Sequence, residues 1–210
     1  MFLKPVRKIG YSNRAVTGKR PSSKSSRIMQ FESSLERDMI TLLEYDDEVE
    51  TYTPQPVTIY YENGAKQCRY TPDLAVYYWP EIKRKPELIE IKYQAELDEK
   101  WAEYAARFAA AEKYAASSGY IFKIITEQEI RTDHLYNIKF LSRYLRTNVD
   151  NVRNAVILSK FNEAKRWSVR ELSGYDPELL YTVWQLVAQK VLCYDMNKKL
   201  NMDSLLWKIH

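Results

Sequence analysis

The hydrophobic period of this chain changes twice between Leu88 and Ile125, and that change does most to limit its fold. Leu88-Ile89-Glu90-Ile91-Lys92 is a short strand-like run that follows the loop Trp-Pro-Glu-Ile-Lys-Arg-Lys-Pro-Glu. From Glu96 the apolar residues Leu97, Trp101, Tyr104, Ala105, Phe108, Ala111 and Ala115 recur at helical spacing, until Gly119 closes the run. Tyr120–Ile125 is apolar again and reads as a buried central strand. A strand, a long helix and a returning strand require a right-handed crossover, hence an α/β fold with a mixed sheet covered by helices.

The flanks extend this unit. Phe31, Leu35, Met39, Leu42 and Leu43 behind Ser33-Ser34 predict a first helix over 33–45, ended by Asp46-Asp47-Glu48. An extended stretch over 49–55, a strand over 57–61 and a strand over 69–78 follow, the last two joined by a turn at Glu62-Asn63-Gly64. Asn-Gly between β-rich runs is a hairpin signal. A helix–turn–helix-like run occupies 127–146, and Thr147–Asp150 marks a boundary. Beyond it come helices over 151–165, 168–173 and 178–190, then strands over 191–195 and 204–209. That is the order of a winged helix-turn-helix. The expected organisation is an arm over 1–29, an α/β domain over 30–147 and a small winged-helix-like domain over 148–210.

Charge is uneven. Residues 1–29 hold Lys4, Arg7, Lys8, Arg14, Lys19, Arg20, Lys24 and Arg27 and no acid, so the chain's net charge of +4 is owed entirely to this arm and the remainder is net acidic. A basic Ser-rich arm is expected to be flexible and drawn to phosphate backbones, or else to serve as a solubilising tail. Lys19, Arg20, Lys24 and Arg27 are its candidate DNA contacts, with Lys198 and Lys199 in the expected wing. No run approaches the ~20 apolar residues of a spanning helix. No signal peptide is visible, and Cys68 and Cys193 make no disulfide framework. A soluble, cytoplasmic protein with no membrane partner is the expectation. His134 and His210 are not offered as ligands, and Trp79, Trp101, Trp167, Trp184 and Trp207 are taken as packing residues.

The chemistry-bearing residues are Asp73 and Glu90-Ile91-Lys92. Glu90 and Lys92 lie two apart on one strand, so both point to one sheet face, and Asp73 heads the neighbouring strand. Two carboxylates offer hard oxygen donors to Mg²⁺, with Mn²⁺ able to substitute, and the ion lowers the pKa of a bound water. A lysine beside them can orient that water or offset charge on the phosphate. Glu36 on the first helix is the candidate third carboxylate, with Glu32 one turn earlier on the same face. The spacing Pro-Asp…Glu-x-Lys matches the PD-(D/E)xK nuclease motif. An Asp at a strand start and a Glu-x-Lys pair also occur on ordinary solvated strands; the hairpin, the acidic helix and the crossover weigh against that reading.

With these marks the chain resembles the TnsA family, the 5′-end endonucleases of heteromeric bacterial cut-and-paste transposases. The resemblance rests on Phe31-Glu32-Ser33-Ser34-Leu35-Glu36, Leu42-Leu43-Glu44-Tyr45, Gln55-Pro56, Tyr70-Thr71-Pro72-Asp73 and Ile89-Glu90-Ile91-Lys92. It implies that residues 30–147 form a restriction-endonuclease-like domain, that Glu36, Asp73 and Glu90 hold the metal and that Lys92 is the basic catalytic position. The position of Glu90 is Gln in some members, so Glu here restores the commoner ligand. It further implies cleavage of double-stranded transposon ends together with a DDE-type (TnsB-like) transposase and an AAA+ (TnsC-like) regulator. A free-standing nuclease of restriction or repair type and a non-cutting DNA-end-binding scaffold are the alternatives. The expected recognition helix, 178–190, has no basic stripe, which favours docking of partner subunits over base reading.

Overall fold

The computed structural model describes residues 2–6, 17–25, 28–145, 150–161 and 165–208. They fall into two units, Met1–Ile130 and Arg131–His210. The division precedes the boundary expected near 147, where residues 146–149 lie outside the described ones.

In the first unit Gly18–Arg20 (β1) and Met29–Phe31 (β2) pair antiparallel. A side chain at Gly18 would collide with the Phe31 ring, 2.3 Å from where its Cβ would stand. Ser34–Tyr45 forms α1, and the Ser33 hydroxyl caps it by accepting from the Glu36 N–H. There follow Val49–Pro54 (β3), Ile59–Asn63 (β4), Lys66–Tyr70 (β5), Leu74–Tyr78 (β6), Glu87–Ile91 (β7), Gln94–Ser118 (α2), Ile121–Ile125 (β8) and Glu127–Ile130 (α3). The main sheet has the order β3-β6-β7-β8; its first two pairings are antiparallel and β7 runs parallel to β8 through α2. Gly119 ends α2 at φ 79, the left-handed region that glycine enters freely. Ala75, Tyr77 and Leu88 pack with Ala115. Ile59 and Tyr70 of the β4–β5 hairpin meet Leu97, Tyr104, Phe108 and Ala111 of α2.

Four expectations are corrected here. The strand expected over 69–78 is two strands: β5 belongs to the hairpin with β4 and β6 to the main sheet. The break is Thr71-Pro72-Asp73, where proline supplies no N–H for a ladder. β8 is an edge strand, not a central one, and Ile121 is 42% exposed. Trp79 and Trp101 are exposed rather than packed. Trp101 follows Lys100, whose φ −117 and ψ 17 leave the helical region and break the phase of the apolar stripe.

The fourth correction concerns the arm. Its described residues are tied down: Val6 N–H donates to the Gln55 carbonyl, Leu3 N–H to Tyr77 Oη, and Thr53 Oγ1 to the Leu3 carbonyl. Arg20 donates to Thr41 Oγ1 at 2.6 Å and Lys24 Nζ to the Asp46 carbonyl. Ser22 and Ser23 both donate to Glu44. Arg7, Lys8, Arg14 and Arg27 lie outside the described residues.

The second unit holds Asp133–Leu141 (α4), Asn151–Leu158 (α5), Trp167–Ser168 (β9), Val169–Ser173 (α6), Pro177–Ala188 (α7) and Leu205–Leu206 (β10). The helix–turn–helix-like run expected over 127–146 is therefore split between the units, α3 in one and α4 in the other. α5 ends at Leu158 rather than at Lys165. The expected strand over 191–195 forms only one bridge, Cys193 to Trp207, and β10 pairs instead with β9. α7 is buried along Thr182–Ala188 and anchors a core with Leu141, Ile157, Leu172 and Leu206. Buried Asn137 donates to the Lys198 carbonyl and accepts from the Leu200 N–H, which pins that loop to α4. Among the described residues no helix is long and apolar enough to cross a membrane.

Candidate active site

The antiparallel register of β6 and β7 sets the centre of the site. Leu74 pairs with Ile89 and Ala75 with Leu88, so Asp73, one residue before β6, comes opposite Glu90. Asp73 is locked from both ends: its carbonyl accepts from the Gln55 N–H at 2.8 Å, and its Oδ2 accepts from the Ile91 N–H at 2.7 Å. Gln55 is a non-glycine residue at φ 46, a conformation that costs energy and is retained at this contact. Lys92 continues β7, its N–H donating to the Ile125 carbonyl of β8. The predicted same-face placement holds, with Lys92 Nζ 2.9 Å from Glu90 Oε1.

Glu90 is nearly fully buried, its side chain 4% exposed. Its other oxygen, Oε2, accepts from Tyr70 Oη at 2.6 Å. Sequence reasoning missed Tyr70, although it stands in the quoted run Tyr-Thr-Pro-Asp; its place at the end of β5 shows only once β5 and β6 separate. Burial raises the Tyr70 phenol, and the Glu90 carboxylate raises it further, so it stays a proton donor.

Asp73 keeps part of its surface open, yet its carboxyl is pushed well above the ordinary range. Burial of the carboxyl is the main cause, with Glu90 and then Glu36 adding like-charge repulsion against the pull of Lys92. Burial opposes the charge on Lys92, but Asp73 and Glu90 outweigh it and hold the ammonium above its usual value. Glu36 is raised by burial, and both Lys92 and Asp73 feel its charge. Its Oε2 also accepts from the Glu32 N–H at 3.0 Å, so it serves the start of α1. The four residues Glu36, Asp73, Glu90 and Lys92 thus share one electrostatic neighbourhood.

Among the described residues no three acidic, histidine or cysteine side chains already stand in the geometry of a metal cage. The donor set fits Mg²⁺ in kind: hard carboxylate oxygens under mutual repulsion that a cation would relieve. Lys19 is exposed on β1; Arg20 and Lys24 are engaged as described above. In the second unit Lys198 pairs with Asp195 at 3.3 Å, and Lys199 lies 3.9 Å over the Tyr136 ring. His134 is half-buried on α4, and His210 lies outside the described residues.

A mixed sheet with an aspartate facing a Glu-x-Lys strand, both backed by a crossover helix, fits the class of nuclease domains. The narrower assignment follows from comparison: residues 46–127 match the family model described as TnsA-like endonuclease N terminal. That segment is thus similar to a TnsA-like endonuclease N-terminal domain. The match includes Asp73, Glu90 and Lys92 but not Glu36. No curated protein matches the chain.

Proposed function

We propose that the chain is a Mg²⁺-dependent DNA endonuclease that cuts the 5′ ends of a transposon, working with a DDE-type transposase and an AAA+ regulator. The observation that carries this reading is the facing of Asp73 and Glu90 with Lys92 hydrogen-bonded to the second carboxylate. Asp73 and Glu90 would hold the ion, with Glu36 as the third donor. When bound, the ion would supply an acidified water and offset charge on the phosphate.

The chain's own groups do the rest. Ile91 N–H orients Asp73, and Tyr70 orients Glu90. The Lys92 side chain, 21% exposed, holds its ammonium beside the pair, where it can steer the attacking water or the phosphate oxygen. Conversion of both acids to one tight ion pair would idle the site, so the extra carboxylate charge is what leaves room for a cation.

The second unit supports a winged-helix reading of modified form. Helices α5, α6 and α7 are accompanied by a ladder in which Ser168 and Trp167, just before α6, face Leu205 and Leu206, and Cys193, after α7, faces Trp207. α7 directs its apolar length inward, and its exposed positions include Glu178 and Tyr181. We assign the unit to docking of partner subunits, with phosphate contacts from Lys198 and Lys199.

The test is strand-specific cleavage of end-labelled transposon DNA in the assembled reaction. Asp73→Ala should abolish the 5′ cut while 3′ cutting by the partner continues. Lys92→Ala should do the same yet leave metal binding in place. Undiminished 5′ cleavage by Asp73→Ala would end the nuclease assignment, and loss of 3′ cutting instead would make these residues assembly contacts.

A further inference from the structure

Arg107 lies on α2 and is half-buried. Its guanidinium carbon stands 3.7 Å from the centroid of the Tyr104 ring, 5.5 Å from that of Phe108 and 5.9 Å from that of Tyr70. Tyr70 is the residue that grips Glu90, so the guanidinium sits at the wall of the candidate active site. Stacking on Tyr104 covers a face of the guanidinium, but its five N–H donors lie in the plane and stacking does not use them.

Those donors are the unexplained part. Arg107 Nε is buried and has no hydrogen-bond partner. Other arginines of the unit are engaged: Arg84 pairs with Glu48 and Glu87, Arg37 with Asp38, and Arg20 donates to Thr41. Glu90 is held by Tyr70 and Lys92, and Glu96 by Tyr104. A buried N–H left unpaired is costly, and a planar fork of donors held rigid by an aromatic ring matches the oxygens of a phosphate.

We propose that Arg107 binds a backbone phosphate of the DNA strand that is cut, through the planar fork of its guanidinium, with the contact drawing the stacked side chain towards the site. The residue thereby positions the scissile strand over Asp73 and Glu90. It does so without joining the acidic pair, because Tyr104 fixes its plane and Lys92 already answers Glu90. This assignment rests on the endonuclease reading of the same site.

The experiment titrates the full chain against a labelled DNA duplex over a range of salt concentrations, with cleavage measured in the assembled reaction. Arg107→Gln should weaken duplex binding and lower the salt slope by about one, the share of a single phosphate contact. Arg107→Lys should recover the slope through its charge but keep 5′ cleavage at least ~10-fold down, because an ammonium lacks the planar fork. Titrations are repeated in an Asp73→Ala background, where cutting cannot distort the binding curve. An unchanged slope and affinity in Arg107→Gln, with or without a fall in melting temperature, overturns the proposal and leaves Arg107 a packing residue. A wild-type chain whose binding is insensitive to salt overturns it as well. Retained 5′ cleavage by Asp73→Ala is a separate failure: it removes the endonuclease reading, while the slope still reports whether Arg107 meets phosphate.

Discussion

Glu44 and Asp73 belong to the same unit, and their surroundings push them in opposite directions. Glu44 is ringed by donors. Ser22 Oγ, Ser23 N–H at 2.9 Å, Ser23 Oγ at 2.6 Å and Tyr52 Oη at 2.6 Å all reach its two oxygens. Burial works against its charge, yet these bonds outweigh burial and hold the carboxyl below its ordinary value. Asp73 receives one backbone N–H and faces Glu90 and Glu36, and it is held well above its ordinary value. One carboxylate is completed by the fold. The other is left under repulsion that the fold does not relieve, and that incompleteness supports the proposed cation site.

Each carboxylate cluster has its own tyrosine, which gives the strongest way to break the comparison. Tyr70→Phe deletes only the hydroxyl that orients Glu90. By the usual weight of outer-shell partners, Mn²⁺ affinity should fall ~10-fold or more. Tyr52→Phe deletes the matching hydroxyl on Glu44 and should leave Mn²⁺ affinity unchanged. Calorimetric titration of the two variants decides it. Equal affinities, both at the wild-type level, would mean that Tyr70 only packs against Phe108 and Ile59.

The contrast also measures what sequence could reveal. Asp73, Glu90 and Lys92 were legible because a two-residue spacing on a strand and a neighbouring strand start suffice to place them on one face. The crossover was legible because its helix spans seven turns with a clear apolar stripe, ended by Gly119. Tyr70 was not legible: the run 69–78 looks continuous, and only the proline break turns Tyr70 towards Glu90. The arm was misjudged for a related reason. Its Ser-rich composition reads as disorder, but a partner carboxylate 22 residues along the chain cannot be seen in composition; Glu44 on α1 orders Ser22 and Ser23 through contacts of long sequence separation. Trp101 failed because one non-helical residue, Lys100, shifts the stripe.

A second, smaller effect should appear in stability, with opposite signs at the two carboxylates. Glu44→Gln trades a charged acceptor for a neutral amide facing three donor side chains, and should cost about 1–2 kcal/mol. Deleting residues 1–27 removes the serines and β1 together, so it should destabilise the first unit and not merely weaken DNA attraction. Asp73→Asn removes like-charge repulsion and should leave the metal-free chain as stable as wild type or more so. Urea unfolding of the three variants provides the check. A marked loss of stability in Asp73→Asn would show that its bond from Ile91 N–H outweighs the repulsion, and the two clusters would no longer differ in kind.

The smallest effect lies in the pH dependence, where the signs differ again. Glu44 is depressed in the folded chain below its ordinary value of 4.5, so its contribution is present above that value and is lost as pH falls through the depressed one. The stability gap between wild type and Glu44→Gln should therefore narrow on acidification; partial exposure of Glu44 keeps this pH-dependent part under ~1 kcal/mol. Asp73 is raised above its ordinary value of 3.8, so the stability linked to its proton is fully present below that value and is lost as pH rises through the raised one. Any advantage of Asp73→Asn should accordingly be largest at neutral pH and vanish in acid, where wild type is protonated too. Addition of Mg²⁺ at neutral pH should stabilise wild type and not Asp73→Asn, because binding to the folded state alone raises its stability. Thermal melts across pH, with and without Mg²⁺, separate the two curves. Parallel curves for Glu44→Gln and Asp73→Asn would erase the difference between a completed carboxylate and an incomplete one.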